Sequence, residues 1–376
     1  MKAYQFVVPF LIIVRFGIGD LFNDPWRVLE IGQNEIIQVK ESEKLSLKRS
    51  GVGFIDVTDH LSLPWGKKIK NAAPVPYYDY PQTVSQAGTV KKLIAEIDQV
   101  AMHDDLARFC SFFTRYYKSA SGYESAQWLS SKLHNLTGEL SSEIFEIEHF
   151  DHKKWKQFSI IFRVHGTETA DNVIVIGSHQ DSLNMIFPSL MPAPGADDDG
   201  SGTITSMEAL RLYLKHLGNG HLPKNTIEFH FYSAEEGGLL GSMDVLGYYR
   251  EQGRKVVAMV QQDMTGYVAN KNDEHIGLVL DNANERLVNF LKVVIDAYVK
   301  IPYRETRCGY ACSDHASATK NGFPSAFILE SENAKTNRYI HTTMDTLDRL
   351  DFDHISEHVK ISLATVIELS NWNFGK

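Results

Sequence analysis

Apolar residues recur at three- and four-residue steps through positions 104–118 and 122–134, the spacing of amphipathic helices. Further along, the rhythm changes to short, continuous apolar runs rich in β-branched residues, at 173–176, 227–232, 256–260, 276–280 and 326–329. Helical stretches separate most of them, at 201–217, 240–252, 284–299 and 313–321, and a last helix spans 354–370. Strands that are apolar throughout and alternate with helices predict an α/β fold. Three layers are expected, a mostly parallel sheet with helices on both faces. In such a sheet the functional site lies beyond the carboxyl ends of the strands.

The first 80 residues break this pattern. An apolar run from Tyr4 to Val14 follows Lys2 and leads into Gly17-Ile18-Gly19. It is far shorter than the roughly 20 residues that span a bilayer. It does match the apolar core of a secretory signal cut after Gly19, so residues 1–19 are expected to be a signal peptide. Residues 20–80 hold short charged stretches, such as Lys40-Glu-Ser-Glu-Lys44 and Lys67-Lys68. They end in a Pro-rich passage from Pro74 to Pro81 that reads as an extended linker. This part reads as a removable pro-segment or as a small structural domain, and 81–376 as the functional domain. Asn135-Leu-Thr137 is a glycosylation sequon, consistent with secretion.

Composition narrows the function. The 376 residues carry 38 Lys and Arg against 47 Asp and Glu, a net charge of −9, and 43% are hydrophobic. That balance excludes a disordered chain and lacks the basic excess of a general nucleic-acid binder. Three cysteines exclude a disulfide scaffold. The mild acidity gains meaning from where the carboxylates fall. Predicted strands run directly into His179-Gln-Asp181, Ser233-Ala-Glu235-Glu236 and Gln262-Asp263. A Gly-rich turn, Gly195-Ala-Asp197-Asp-Asp-Gly200-Ser-Gly202, opens a helix, and His341 follows Tyr339-Ile340. Two histidines and several carboxylates on one sheet edge suit Zn²⁺ or a similar divalent ion. Without cations such carboxylates would repel strongly. Asp198 and Asp199 also fit a turn or helix cap. Three aspartates would repel a phosphate, so the Gly-rich turn is not a phosphate loop. Ser313-Asp314-His315 are consecutive and do not offer triad geometry.

These motifs, with Ile340-His341-Thr-Thr-Met-Asp345-Thr, resemble the di-zinc aminopeptidases of family M28. Cys308-Gly-Tyr-Ala-Cys312-Ser-Asp-His315 is similar to the secreted leucine aminopeptidases of bacteria and fungi. The resemblance covers about residues 81–375. Gly53-Phe-Ile-Asp-Val-Thr58 and Arg115-Tyr-Tyr-Lys-Ser119 also look like the fungal type. It implies the zinc-dependent exopeptidase fold and two Zn²⁺ per subunit. His179 and Asp263 would bind one ion, Glu236 and His341 the other, and Asp197 would bridge them. Glu235 would be the general base and acid, and Asp181 would orient His179. A cis peptide is implied at Asp197–Asp198. Cys308 and Cys312 would pair in a disulfide, leaving Cys110 free. Met264, Tyr310, Phe327, Leu329 and Ile340, with the two cysteines, would line an apolar side-chain pocket. Tyr310 would hydrogen-bond the tetrahedral intermediate. The implied protein is a secreted monomer acting on peptides with a free N-terminus and preferring Leu or another large apolar residue. Neither nucleic acid nor, once mature, a membrane is expected as a partner.

Three rivals share parts of this pattern. M20-type carboxypeptidases and deacylases use a similar ligand set but insert a lid domain before the last ligand. Here the Asp263 and cysteine motifs already occupy the stretch between Glu236 and His341. Glutaminyl cyclases share the fold but bind one zinc. A non-catalytic binding ectodomain would typically lose ligands or the general base, and this chain retains them.

Overall fold

The computed structural model describes residues 24–32, 35–60, 74–138 and 140–375. The expected signal peptide and Lys67-Lys68 lie outside the described residues. Near the N-terminus, β1 (Trp26–Gly32) and β2 (Glu35–Lys40) pair antiparallel, and β3 (Ile55–Asp56) adds to the free edge of β1. A short helix, α1 (Lys44–Arg49), joins β2 to β3. This unit is folded, and it packs on the rest of the chain. Ile55 and Val57 bury themselves against Leu239, Met243 and Ala316.

The main body holds the strands β4 (Phe145–Phe150), β5 (Ser159–Val164), β6 (Thr169–His179), β7 (Asn225–Tyr232), β8 (Lys255–Gln262), β9 (Ile276–Val279), β10 (Tyr303–Thr306) and β11 (Ser325–Leu329). They form one sheet in the order β10-β9-β11-β8-β6-β7-β5-β4. The core strands β7, β6, β8 and β11 run parallel, whereas β5, β4 and the β11–β9 pair are antiparallel. The expectation of a mostly parallel, mixed sheet between helical layers therefore holds. Alternation on β6 separates the layers. Ile174 and Ile176 face a large core shared with the helices α2 (Ala87–Ile94), α3 (Gln99–Cys110), α4 (Ala120–Leu136), α5 (Gly202–Gly218), α7 (Glu285–Tyr298) and α9 (Phe352–Ser370). Val173 and Val175 face the opposite side, packed with α6 (Leu240–Glu251) and α8 (His315–Lys320).

Local signals fix the helix starts. Asp98, Ser119, Asn284 and Asp351 each accept backbone N–H bonds in the first turn of α3, α4, α7 and α9. The helix expected over 104–118 stops at Cys110, because Phe112 to Lys118 form a loop around the buried Arg115. The Pro-rich passage is extended as expected, but it is not a free linker. Tyr80 is buried, packs near Phe290 and Phe374, and donates to the Val257 carbonyl. Among the described residues, no helix is long and apolar enough to cross a membrane.

One ion-pair network ties the antiparallel edge to the parallel core. Arg163 on β5 and Glu228 on β7 are cross-strand partners, and both side chains are buried. Burial alone would raise the Glu228 carboxyl, but bonding from His230 and Arg163 holds it down at about 2. A carboxyl held down in this way stabilises the fold above the ordinary carboxylate range, and that contribution is lost as pH falls toward 2. Arg163→Met would leave the buried carboxylate without its buried cation, with only the half-exposed Arg254 guanidinium 3.9 Å away. It should cost about 3–5 kcal/mol of stability near neutral pH, measured by urea unfolding. A change below about 1 kcal/mol would refute this role for the pair.

Candidate metal centre

The parallel strands bring the chemistry to one edge. His179 on β6 lies opposite Tyr232 on β7, and Gly177 lies opposite Gln261 on β8. The loops that carry Asp181, Glu235, Glu236 and Asp263 therefore leave the sheet together. Glu235 and Glu236 sit in a single helical turn, held by Asp181, which accepts the N–H of Glu235 at 3.0 Å and of Glu236 at 3.3 Å. The same Asp181 carboxylate lies 3.4 Å from Nδ1 of His179. Ser313 donates its hydroxyl to Asp263 at 2.5 Å. Four non-glycine residues, Ala234, Leu239, Met264 and His341, hold left-handed backbone with φ near +59°. Such backbone costs of order 1–3 kcal/mol per residue and persists where the surroundings enforce it. Here these residues flank or supply the cluster.

The Asp loop corrects the sequence reading by one residue. Asp198, not Asp197, reaches both histidines. Its Oδ1 lies 3.0 Å from His179 Nε2 and its Oδ2 lies 3.0 Å from His341 Nε2. Asp197 turns away, accepting from Gly266 N–H at 3.0 Å and from the Ser201 hydroxyl at 3.2 Å. Asp199 behaves as the cap anticipated for it. It accepts from Gly202 N–H at 2.9 Å, Met264 N–H at 3.0 Å and His179 N–H at 3.0 Å. The cis peptide moves with the register and joins Asp198 to Asp199. The physical cause lies outside the triplet. Gly195 opens the loop at φ +52°, where a side chain would meet Asp198 backbone, Ser182 and Arg115. The buried Arg115 guanidinium donates to the carbonyls of Gln180, Pro194 and Gly195. Asp345 then takes the N–H groups of Asp197 and Asp198, each at 3.1 Å.

Two groups of donor atoms result, His179–Asp198–Asp263 and Asp198–Glu236–His341, each within 4.8 Å of one another. His179 Nε2, Glu236 Oε1 and Asp263 Oδ1 are buried and have no hydrogen-bond partner among the described residues. Such orphans are costly unless something satisfies them. Imidazole and carboxylate donors suit zinc. The residues present therefore fit divalent ions, with Asp198 common to both groups. The electrostatics agree. Burial alone would raise Asp198, but the adjacent His179 and His341 imidazoles hold it far below the usual carboxylate range. Glu236 is likewise brought down to about 2 against burial, by His341 and Lys48. Burial works to discharge His341, yet Glu236 and Asp198 outweigh it and raise it to about 10. His179 also rises well above its ordinary value despite burial, because of Asp263 and its neighbours. The cluster draws in positive charge.

Beside the cluster lies a cavity of about 220 Å³. Met264, Tyr310, Phe327, Leu329 and Ile340, anticipated as its walls, all line it, as do Cys308 and Cys312. The two cysteines form a disulfide with Cα atoms 6.2 Å apart. Asp281 fixes the loop by accepting Cys308 N–H at 2.6 Å and Gly309 N–H at 3.1 Å. Cys110 is free, and burial pushes its thiol up to about 12. Asn135 of the sequon is exposed on the last turn of α4.

Sequence reasoning missed one occupant of this site. Lys48 at the end of α1 places its Nζ 2.7 Å from Glu236 Oε2. Burial opposes its charge, but Glu236 and Glu235 hold the ammonium above its ordinary range. Gly51 to Phe54 then run along the cavity, and a Cβ on Gly53 would stand 2.0 Å from the Tyr310 ring. One lysine in a charged stretch carries no signal of such a contact.

The signature of Peptidase family M28 matches residues 159–366. A probable aminopeptidase of Saccharomyces cerevisiae is 56% identical, covering 93% of this chain and 94% of its own. Leucine aminopeptidase 1 of Penicillium rubens is 46% identical, covering 91% and 89%. Among solved structures, the LapA aminopeptidase of Legionella pneumophila superposes with a TM-score of 0.80. It is 28% identical and covers 93% of this chain and all of its own.

Divalent ions that bind these imidazoles, one in each donor group, must displace protons held by His179 and His341. Zinc binding should therefore release about one or more protons per ion and tighten from about pH 6 to about pH 8. Calorimetric titration in two buffers of different ionisation enthalpy measures this release. Zinc binding without proton release would exclude the histidines as ligands.

Proposed function

The chain belongs to peptidase family M28, and we propose that it is a secreted zinc aminopeptidase, made with an inhibitory pro-segment, that removes Leu and other large apolar residues from peptide N-termini. The observation that carries this reading is the single Asp198 carboxylate shared by His179 and His341, with Glu235 on the turn beside it. His179 and Asp263 would hold one zinc, Glu236 and His341 the other, and Asp198 would bridge. Zinc bound there supplies Lewis acidity to the scissile carbonyl and to the attacking water.

The chain's own residues do the rest. Glu235 accepts the proton of the attacking water and returns it to the leaving amine. Burial raises its carboxyl well above the ordinary range, against the pull of His179 and Lys48. Asp181 holds both Glu235 and the His179 ring in place. The Tyr310 hydroxyl is the donor for the oxyanion once the Gly53 backbone no longer covers its ring. Met264, Phe327, Leu329 and Ile340 receive the apolar side chain. A methylene in such a pocket changes discrimination by only about 1–3 kcal/mol, so the preference is broad.

The pro-segment reading rests on Lys48. Its ammonium sits on a carboxylate assigned to zinc, and Gly51 to Phe54 form one wall of the cavity that a substrate would need. Cleavage between residues 61 and 80 and departure of the preceding unit would open both. Secretion is supported by the signal-like N-terminus, the Cys308–Cys312 disulfide and the exposed Asn135.

Glu235→Gln should keep its zinc but lose about 10²–10⁴-fold in turnover of Leu-p-nitroanilide. Near-normal turnover would sink the role given to Glu235. In the uncleaved chain, Lys48→Met should raise activity on the same substrate several-fold, and the same substitution should be silent once the pro-segment has been removed. Equal activity of the two uncleaved chains would reject the inhibitory contact.

A further inference from the structure

The segment 182–196 contains no charged residue, although Asp181 and Asp197 bracket it. Within it, Ile186 and Phe187 are each 55% exposed and Leu190 is 77% exposed. Phe113, at 51%, lies alongside, because its carbonyl accepts Ala193 N–H at 3.0 Å. This loop is preformed. Asn184 accepts the N–H groups of Ile186 and Phe187 and donates to the Pro192 carbonyl at 2.9 Å. Ser182 closes the base by donating to the Ala193 carbonyl at 2.8 Å. A surface loop with close ends and large outward apolar side chains, held rigid at this cost, is a candidate binding element.

Its position supplies the occupant. Met185 lines the cavity, and its N–H donates to the His341 carbonyl at 2.9 Å. The docked N-terminal unit traces the way out. Lys48 touches Glu236 in the cluster, and the next residue, Arg49, donates to the carbonyls of Met185 at 2.8 Å and Ile186 at 2.5 Å. One residue thus spans the distance from the cluster to the loop, and two backbone acceptors face the exit.

We propose that the loop from Ser182 to Ala193 binds the substrate peptide downstream of the scissile bond, so that the enzyme selects apolar residues there as well as at the N-terminus. It rests on the aminopeptidase reading, which puts the substrate's free end in the cavity and sends the remainder outward. Departure of residues 24–60 frees the Met185 and Ile186 carbonyls. An extended peptide donates its N–H groups to them and lays its side chains on Ile186, Phe187 and Leu190. Acidic or basic residues at these positions would lose hydration against a loop that has no charge to pair with them.

The test compares a tripeptide with a substrate that has no downstream side chain. The zinc-loaded, processed enzyme should cleave Leu-Leu-Phe at least about tenfold more efficiently than Leu-Asp-Asp. A triple variant, Ile186→Ser with Phe187→Ser and Leu190→Ser, should lose that advantage and keep kcat/KM for Leu-amide within about twofold. Loss on Leu-amide as well would mean that the loop supports the site rather than the peptide. Unchanged selectivity in the variant would remove the loop from recognition, and either result overturns the proposal. A parent enzyme that is dimeric and becomes monomeric in the variant, with tripeptide kinetics unaltered, would assign the face to a second copy and overturn it too. Absence of Leu-amide hydrolysis in the parent would instead reject the aminopeptidase reading itself.

Discussion

The shared carboxylate of Asp198 is the constraint around which the rest of the chain is arranged. It stands 3.0 Å from two imidazoles that lie far apart in the sequence, one on β6 and one in the loop before α9. Asp181, Asp263, Glu235 and Glu236 are buried around it. Carboxylates packed so closely in a low-dielectric interior repel unless positive charge or N–H donors meet them. The protein meets them in layers. The histidines face the cluster, backbone N–H groups of Glu235, Glu236 and Met264 point at the supporting aspartates, and Ser313 bonds Asp263. The layers leave unsatisfied those atoms that point at one another across the cluster, and these are the atoms a cation can bind.

Holding that geometry demands stiffness, and the fold supplies it from both sides. Parallel strands deliver three loops from adjacent β6, β7 and β8 with their register set by sheet hydrogen bonds. Among the described residues, Arg115 contributes no bond to a carboxylate. Its guanidinium is consumed by three backbone carbonyls, two of them at the start of the Asp loop, and stacks on Phe109. A buried cation used this way shapes the backbone while its charge lies behind the cluster. Burial lowers its hold on the proton, and Cys110, Asp345 and Asp181 partly offset this.

The central architecture was legible in the sequence because its strands are buried on both faces and read as continuous apolar runs. Phe145–Phe150 was not, since its apolar and charged residues alternate on a half-exposed edge strand. The Phe112 to Lys118 loop was misread because its aromatic residues stand at helical spacing, while their actual contacts are set by Arg115, which periodicity does not sense. The strand-end motifs identified His179, Glu235, Glu236, Asp263 and His341 as neighbours, since parallel strands must bring their ends together. They could not choose among Asp197, Asp198 and Asp199. Three identical side chains in a row differ only in which groups await them: Gly266 N–H and the Ser201 hydroxyl donate to Asp197, Met264 N–H donates to Asp199, and the Asp345 carboxylate accepts the Asp197 and Asp198 N–H groups.

The N-terminal unit obeys the same electrostatic logic from outside. It reaches the catalytic body through Lys48 on Glu236, His60 on Asp244, Glu41 on Lys118, Glu30 on Lys320 and Asp59 on Lys154. Four of these contacts lie at the half-exposed rim, where each ion pair is worth little on its own. The apolar contacts of Ile55 and Val57 with Leu239 and Met243 anchor the unit, and the rim pairs set its orientation. Lys48 differs because Glu236 is buried and carries one oxygen toward His341 and the other toward the ammonium. A site built to attract cations accepts an ammonium when the chain offers one. The same charge that recruits metal therefore gives the preceding segment its grip, and no residue of the cluster needs to be specialised for both tasks.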